Sequence, residues 1–194
     1  LFVLVSVGLG LGALRLRLNA SVASMLPDKS AIADLQEEAS DIFGADGVMI
    51  ALVEGDVYTS QGVAALRRLT PGLEKVPGVT SVTSAANAQR MVDDDGFLLI
   101  EDLLPANPTA DDIVAARDYL ETSPLYRGGL LVAESGKSAN VIMEVDADVD
   151  SSALSSGIRA VLAGEWQGVG MGATHLVGGP LIDGEMRATL AKEM

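Results

Sequence analysis

Residues 47–55 read GVMIALVEG, an unbroken apolar run from Val48 to Val53 closed at each end by a glycine. Such a run between two turn formers fits a β-strand buried on both faces. The period then changes. Val63, Leu66, Leu69, Leu73 and Val76 recur at three- and four-residue intervals, which marks a helix with one apolar stripe and leaves Arg67, Arg68, Glu74 and Lys75 facing water. Pro71 falls inside the stripe, removes a backbone donor, and is expected to kink or split the helix. Val79 to Ser84 reads as a second strand, so the stretch is strand-helix-strand.

The same alternation continues downstream. The acidic turn Asp93-Asp94-Asp95-Gly96 precedes a strand from Phe97 to Leu103. Thr109-Ala110-Asp111-Asp112 has the form of a capping box, with two acids where the helix dipole favours them. The helix it opens runs to about Glu121 with Ile113, Ala116 and Leu120 inward. Leu130 to Ala133 and Ala139 to Val145 read as strands joined by a hairpin turn over Glu134-Ser135-Gly136-Lys137-Ser138. A helix with Leu154, Ile158, Val161 and Leu162 inward follows, then a strand from Thr174 to Val177. Two interleaved strand-helix-strand halves on one sheet, with a strand-helix-strand inserted between them, predict an α+β fold: a ferredoxin-like βαβ sandwich with its helices on one face.

Toward the N-terminus, Ser30 can cap a helix whose apolar positions are Ile32, Leu35, Ala39 and Ile42, ending near Phe43-Gly44. Before it, Leu1 to Leu14 (LFVLVSVGLGLGAL) carries no charge. As a helix it would span roughly 21 Å, short of the ~30 Å hydrocarbon core. Three explanations compete: the outer part of a membrane helix, a secretory signal with Ser21-Val22-Ala23 at its cleavage site, or a buried core helix. Arg15 and Arg17 stand where a signal is normally uncharged, which favours the membrane anchor. At the other end, Gly178-Gly179-Pro180 opens a helix with Ile182, Met186 and Leu190 on one stripe. The organisation expected is a truncated transmembrane helix end over 1–18, a connector and helix over 19–45, an extracytoplasmic domain over 46–178, and over 179–194 a helix leading to a second membrane span.

Composition excludes several classes. A formal charge of -14 repels a phosphate backbone, so nucleic acid is not an expected partner. Without cysteine there is no disulfide framework, thiolate metal site or cysteine nucleophile. Aromatic residues make up 4% of the chain, so its core must be built from small aliphatic side chains.

Short motifs that invite chemistry fail on context. Gly136-Lys137-Ser138 ends like a phosphate loop, but Leu131 stands where that motif needs glycine, and a hairpin turn is expected instead. Gly168, Gly170 and Gly172 precede a strand, where a dinucleotide fingerprint must open a helix. Asp146, Asp148 and Asp150 alternate like calcium ligands, but Ser151 and Gly157 replace the required glycine and glutamate. His175, the single histidine, is expected to be a packed or hydrogen-bonded core residue. Asn19-Ala20-Ser21 matches a glycosylation acceptor by its three residues alone. Trp166, Tyr58, Tyr119 and Tyr126 are too dispersed for a stacking platform. No catalytic, cofactor or metal residue is assigned, and an enzyme is not expected.

In order and spacing, Ser24-Met25-Leu26-Pro27, Phe43-Gly44, Asp56-Val57-Tyr58-Thr59, Leu66-Arg67-Arg68-Leu69-Thr70, Leu73-Glu74, Val76-Pro77-Gly78-Val79, Leu103-Leu104-Pro105, Pro124-Leu125-Tyr126-Arg127-Gly128 and Gly178-Gly179-Pro180 run nearly the length of the chain. With them the sequence resembles the RND superfamily, in the branch of MmpL-like and hopanoid-associated lipid exporters. The resemblance implies the first porter domain of a proton-driven exporter in a bacterial inner membrane, facing the periplasm. It further implies a second porter domain of the same protein as partner, a hydrophobic or lipid-like cargo, possible oligomers, and proton-carrying groups in membrane helices outside these residues. Helical anchors at both ends would pass motion from those helices to the domain. The alternative is a membrane-tethered extracytoplasmic module that binds a ligand or partner and transports nothing.

Overall fold

A computed structural model describes residues 47–94, 97–146 and 149–179. The expectations for Leu1 to Leu14, for the stripe from Ile32 to Ile42, for Asn19 and for the helix after Pro180 lie outside the described residues. In chain order the elements are β1 (Gly47–Glu54), α1 (Ser60–Glu74), β2 (Val79–Thr83), β3 (Gln89–Asp94), β4 (Phe97–Asp102), α2 (Ala110–Thr122), β5 (Ser138–Val145), α3 (Ser151–Glu165) and β6 (Thr174–Gly178).

The α+β class holds. Four strands form one sheet in the order β2-β5-β1-β6, and β3 and β4 pair only with each other. Strand β1 is antiparallel to both β5 and β6, and β2 is antiparallel to β5. It follows that β1 and β2, joined through α1, run parallel with β5 between them. Likewise β5 and β6, joined through α3, run parallel with β1 between them.

Side chains alternate across this sheet as a two-residue period requires. Met49, Ala51 and Val53 of β1 and Ala139, Val141, Met143 and Val145 of β5 are buried on one face. Against that face lie Ala65, Leu66, Leu69 and Leu73 of α1 and Leu154, Ile158 and Leu162 of α3. Two glycines set how closely α1 and α3 approach. A Cβ at Gly72 of α1 would lie 3.0 Å from Cγ1 of Val161 on α3, and one at Gly157 of α3 would lie 2.9 Å from Cγ1 of Val76 at the end of α1. The glycine of α1 thus meets a valine of α3, and the glycine of α3 meets a valine just past the end of α1.

Three expectations are corrected. Strand β1 is buried on one face only: Val48 is exposed, and Ile50 and Leu52 are half-buried. With an antiparallel sheet and both α1 and α3 on one side, no described element covers the other. Helix α1 is not split at Pro71, which sits on its exposed side in the last turn, where one missing donor is tolerated. The inserted segment is a strand-strand-helix, not a strand-helix-strand. Strand β3 carries little strand signal, since Gln89-Arg90-Met91-Val92-Asp93-Asp94 has little apolar alternation. Conversely, Leu130 to Ala133 makes a single bridge, Val132 to Ala139. Strand β2 already occupies that edge of β5 from Ile142 to Val145, which leaves only its first residues free.

The glycine–valine contacts give a test. Alanine is the better helix former by about 1 kcal/mol, yet Gly157→Ala should destabilise the domain by roughly 1–3 kcal/mol through overpacking against Val76. Adding Val76→Ala should return most of that loss. Urea unfolding of both single variants and the double variant measures the coupling; additive losses would contradict the contact.

Candidate functional site

The segment between β1 and α1 carries Tyr58, and the turn before β5 holds it. The amides of Gly55 and Val57 donate to the carbonyls of Lys137 and Gly136, at 2.8 and 3.0 Å. Lys137 Nζ lies 2.6 Å from Asp56 Oδ2. Gly136 has a φ of +67°, and a Cβ there would lie 2.8 Å from Cδ2 of Tyr58. Gly136-Lys137-Ser138 is therefore the seat of a tyrosine ring, and its glycine is required by both backbone and space.

Tyr58 forms one wall of an apolar cleft between α1 and α2. Val63, Leu66, Ile113, Ala116 and Leu120 line it, and it encloses about 10 Å³, room for one water molecule. The Arg117 guanidinium stands 5.4 Å from the centre of the Tyr58 ring and is held by Glu121 at 2.8 Å. Burial pushes the Tyr58 hydroxyl up to about 12, with the Glu121 charge adding to the shift and Arg117 opposing it. The phenol is protonated at neutral pH, so it acts there as a polar wall and not as a base.

Helix α2 enters through the predicted capping box. Thr109 N–H and Oγ1 donate to Asp112 Oδ2 at 2.8 and 2.7 Å, which holds that carboxyl below its ordinary value. Its buried residues are Ile113, Ala116 and Leu120, as the spacing predicts. Arg67, expected in water, instead reaches from α1 to the segment before α2. Its guanidinium donates to the carbonyl of Leu104 at 3.0 Å and to those of Pro105 and Ala106. The buried hydroxyls of Thr70 and Ser84 meet at 2.8 Å, and Asn87 Oδ1 accepts from Ser84 N–H at 2.8 Å. The Arg67 and Thr70 bonds fasten the inserted segment to α1 at its entry and at its strand-to-helix connection.

The remaining motif residues have structural partners. Trp166 is fully buried and its Nε1 donates to Glu54 O at 2.8 Å, beside Gly172 N at 2.9 Å. Gly168, Gly170 and Gly172 thus belong to the return from α3 to β6. Asp150 caps α3 through Ser152 N–H at 2.9 Å, while Asp148 lies outside the described residues. His175 is corrected: it is on the uncovered face of β6, more than half exposed, with Nε2 3.1 Å from Glu54 Oε1. The strand period explains this, since Leu176 takes the inward place. Among the described residues no group of three or more His, Asp or Glu is arranged to hold a metal ion. Tyr119 and Tyr126, dispersed in sequence, come together with ring centres 6.3 Å apart.

No family model matches this chain, and no curated protein matches it significantly. On the uncovered sheet face, Ile50 lies between Ile142 and Val177, and Leu52 between Asn140 and His175. Val177 is 56% exposed and Val48 47%, beside the exposed Glu54, Glu144 and His175, so the face is part apolar and part polar where it meets solvent. Among the described residues no helix is long and apolar enough to cross a membrane.

Tyr58 supplies a spectroscopic test. Its raised value favours the folded state fully below about pH 10 and loses that effect as pH rises through about 12. Alkaline titration should show a phenolate absorbance step near pH 12 that is missing in Tyr58→Phe. The same step persisting in that variant would contradict the packing.

Proposed function

We propose that the chain is the first extracytoplasmic porter domain of a proton-driven exporter of the RND superfamily, with lipids or other amphiphiles as cargo. The observation that carries this is the sheet order β2-β5-β1-β6. It supports a ferredoxin-like sandwich built from two split strand-helix-strand halves, the architecture that the resemblance implies. The order of matched segments from Ser24 to Pro180 supports the family, and the partly apolar sheet face that no described element covers supports packing against a second porter domain. The domain would act mechanically, as a wall of a cargo path moved from the membrane, and would sit on the periplasmic side.

A tethered ligand-binding module is the rival. The cleft beside Tyr58 has room for one water, too little for a ligand without rearrangement. Reading the coding sequence on either side of these residues separates the two. The transporter requires apolar stretches of about 20 residues at both flanks and further ones carrying acidic or polar residues. A soluble domain or a stop directly after Met194 would exclude it.

A further inference from the structure

The segment inserted between β2 and β5 is bonded chiefly to itself. Strands β3 and β4 pair only with each other, and Leu103 N–H extends that ladder to Ala88 O at 2.8 Å. Two tyrosines tie α2 and the loop after it to the hairpin. Met91 N–H donates to the Tyr119 hydroxyl at 3.1 Å, and the Tyr126 hydroxyl donates to Gln89 O at 3.1 Å. Among the described residues, no backbone hydrogen bond joins 88–127 to the main sheet, α1 or α3.

The chain enters and leaves this insert side by side, since Gln89 and Tyr126 are bonded. An asparagine fixes the frame at each crossing. Asn87 Nδ2 donates to Val82 O at 2.7 Å, and Asn140 Nδ2 donates to Gly129 O at 3.3 Å and Leu130 O at 3.0 Å. Gly128 and Gly129 have φ of +85° and +79°, and a Cβ at Gly128 would meet nothing within 4 Å. Adjacent glycines in open space let the backbone turn there at little steric cost.

Side chains make the attachment. The Arg67 guanidinium donates to the carbonyls of Leu104, Pro105 and Ala106, and Arg117 stands over the Tyr58 ring. Ala116 and its α2 neighbours close on Val63 and Leu66 around a gap the size of one water. Complete internal bonding with few attachments is what lets one part of a protein open while the rest stays folded. The main sheet, with β1 laddered on both edges, is the part that stays.

We infer that the insert opens from the frame at the seam between α1 and α2 while the main sheet remains folded, and that Arg67 is the clasp holding it shut. Opening exposes the apolar walls of the seam to solvent. This device is independent of any transport role.

The chain contains no cysteine, so a single introduced thiol reports on its own site. Ala116→Cys places one in the seam, beside the gap, and Val141→Cys places one in the buried face of the main sheet. Labelling by a thiol reagent, with circular dichroism to check folding, should be at least about tenfold faster at position 116 than at 141. Ala85→Cys, on the frame's side of the seam, should behave like Ala116→Cys. Ile158→Val weakens the frame alone, so it should speed labelling at 141 several-fold and leave 116 unchanged. Arg67→Met keeps the apolar stem but removes the donors, and should speed labelling at 116 roughly tenfold. Equal labelling at 116 and 141, or equal acceleration of both by Ile158→Val, would show that seam and sheet open only together and overturn the inference. Unchanged labelling at 116 in Arg67→Met would overturn the clasp.

Discussion

Strand β1 is hydrogen-bonded along both edges, over eight residue pairs to β5 and five to β6. That double pairing decides which side chains form the core. Once Met49, Ala51 and Val53 point to one face, the inward residues of β5 and β6 are set by register, because a shift of one residue would reverse them all. The crossovers α1 and α3 must then lie on the same face. Two helices over so narrow a sheet fit only if they approach closely, and the glycines at 72 and 157 provide that approach. The scarcity of aromatics is consistent with this, since apart from Trp166 the fully buried large side chains are aliphatic or methionine.

The inserted segment rests on this frame through polar bonds from α1. Arg67 holds the strand-to-helix connection, the Thr70–Ser84 pair and Asn87 hold the entry, and the α2 stripe completes an apolar seam against Val63 and Leu66. Anchoring from one side has a consequence for the hairpin. Tyrosines 119 and 126 can reach β3 but not β4, so the two edges differ in exposure. Among the described residues the domain therefore presents two unlike surfaces: a partly apolar sheet face and the exposed apolar side chains of β4. The cleft beside Tyr58 is lined by its own apolar side chains and has room for about one water.

Much of the main sheet was legible in the residues. The run from Val48 to Val53, the α1 stripe, the Thr109 cap and the inward triad Ile113, Ala116 and Leu120 all carry their own local signal. What was not legible depends on partners distant in sequence. Strand β3 is polar, and its outer edge is satisfied by hydroxyls 28 and 37 residues away. Arg67 looks like a solvent residue until the carbonyls 37 to 39 positions on are folded beside it. The stretch before β5 has a strand's composition but meets an edge already occupied by β2. One face of β1 stays apolar without being covered by any described element, and a run that is apolar at every position carries no sign of that difference.

The double pairing of β1 can be tested directly by amide hydrogen exchange resolved to single residues. An interior strand bonds every amide, to one neighbour or the other, whereas an edge strand bonds alternate ones. Uninterrupted slow exchange from Met49 to Val53, with alternating slow and fast amides along β6, is the predicted pattern. Alternation within β1 itself would place it at an edge of the sheet and contradict the fold on which the rest depends.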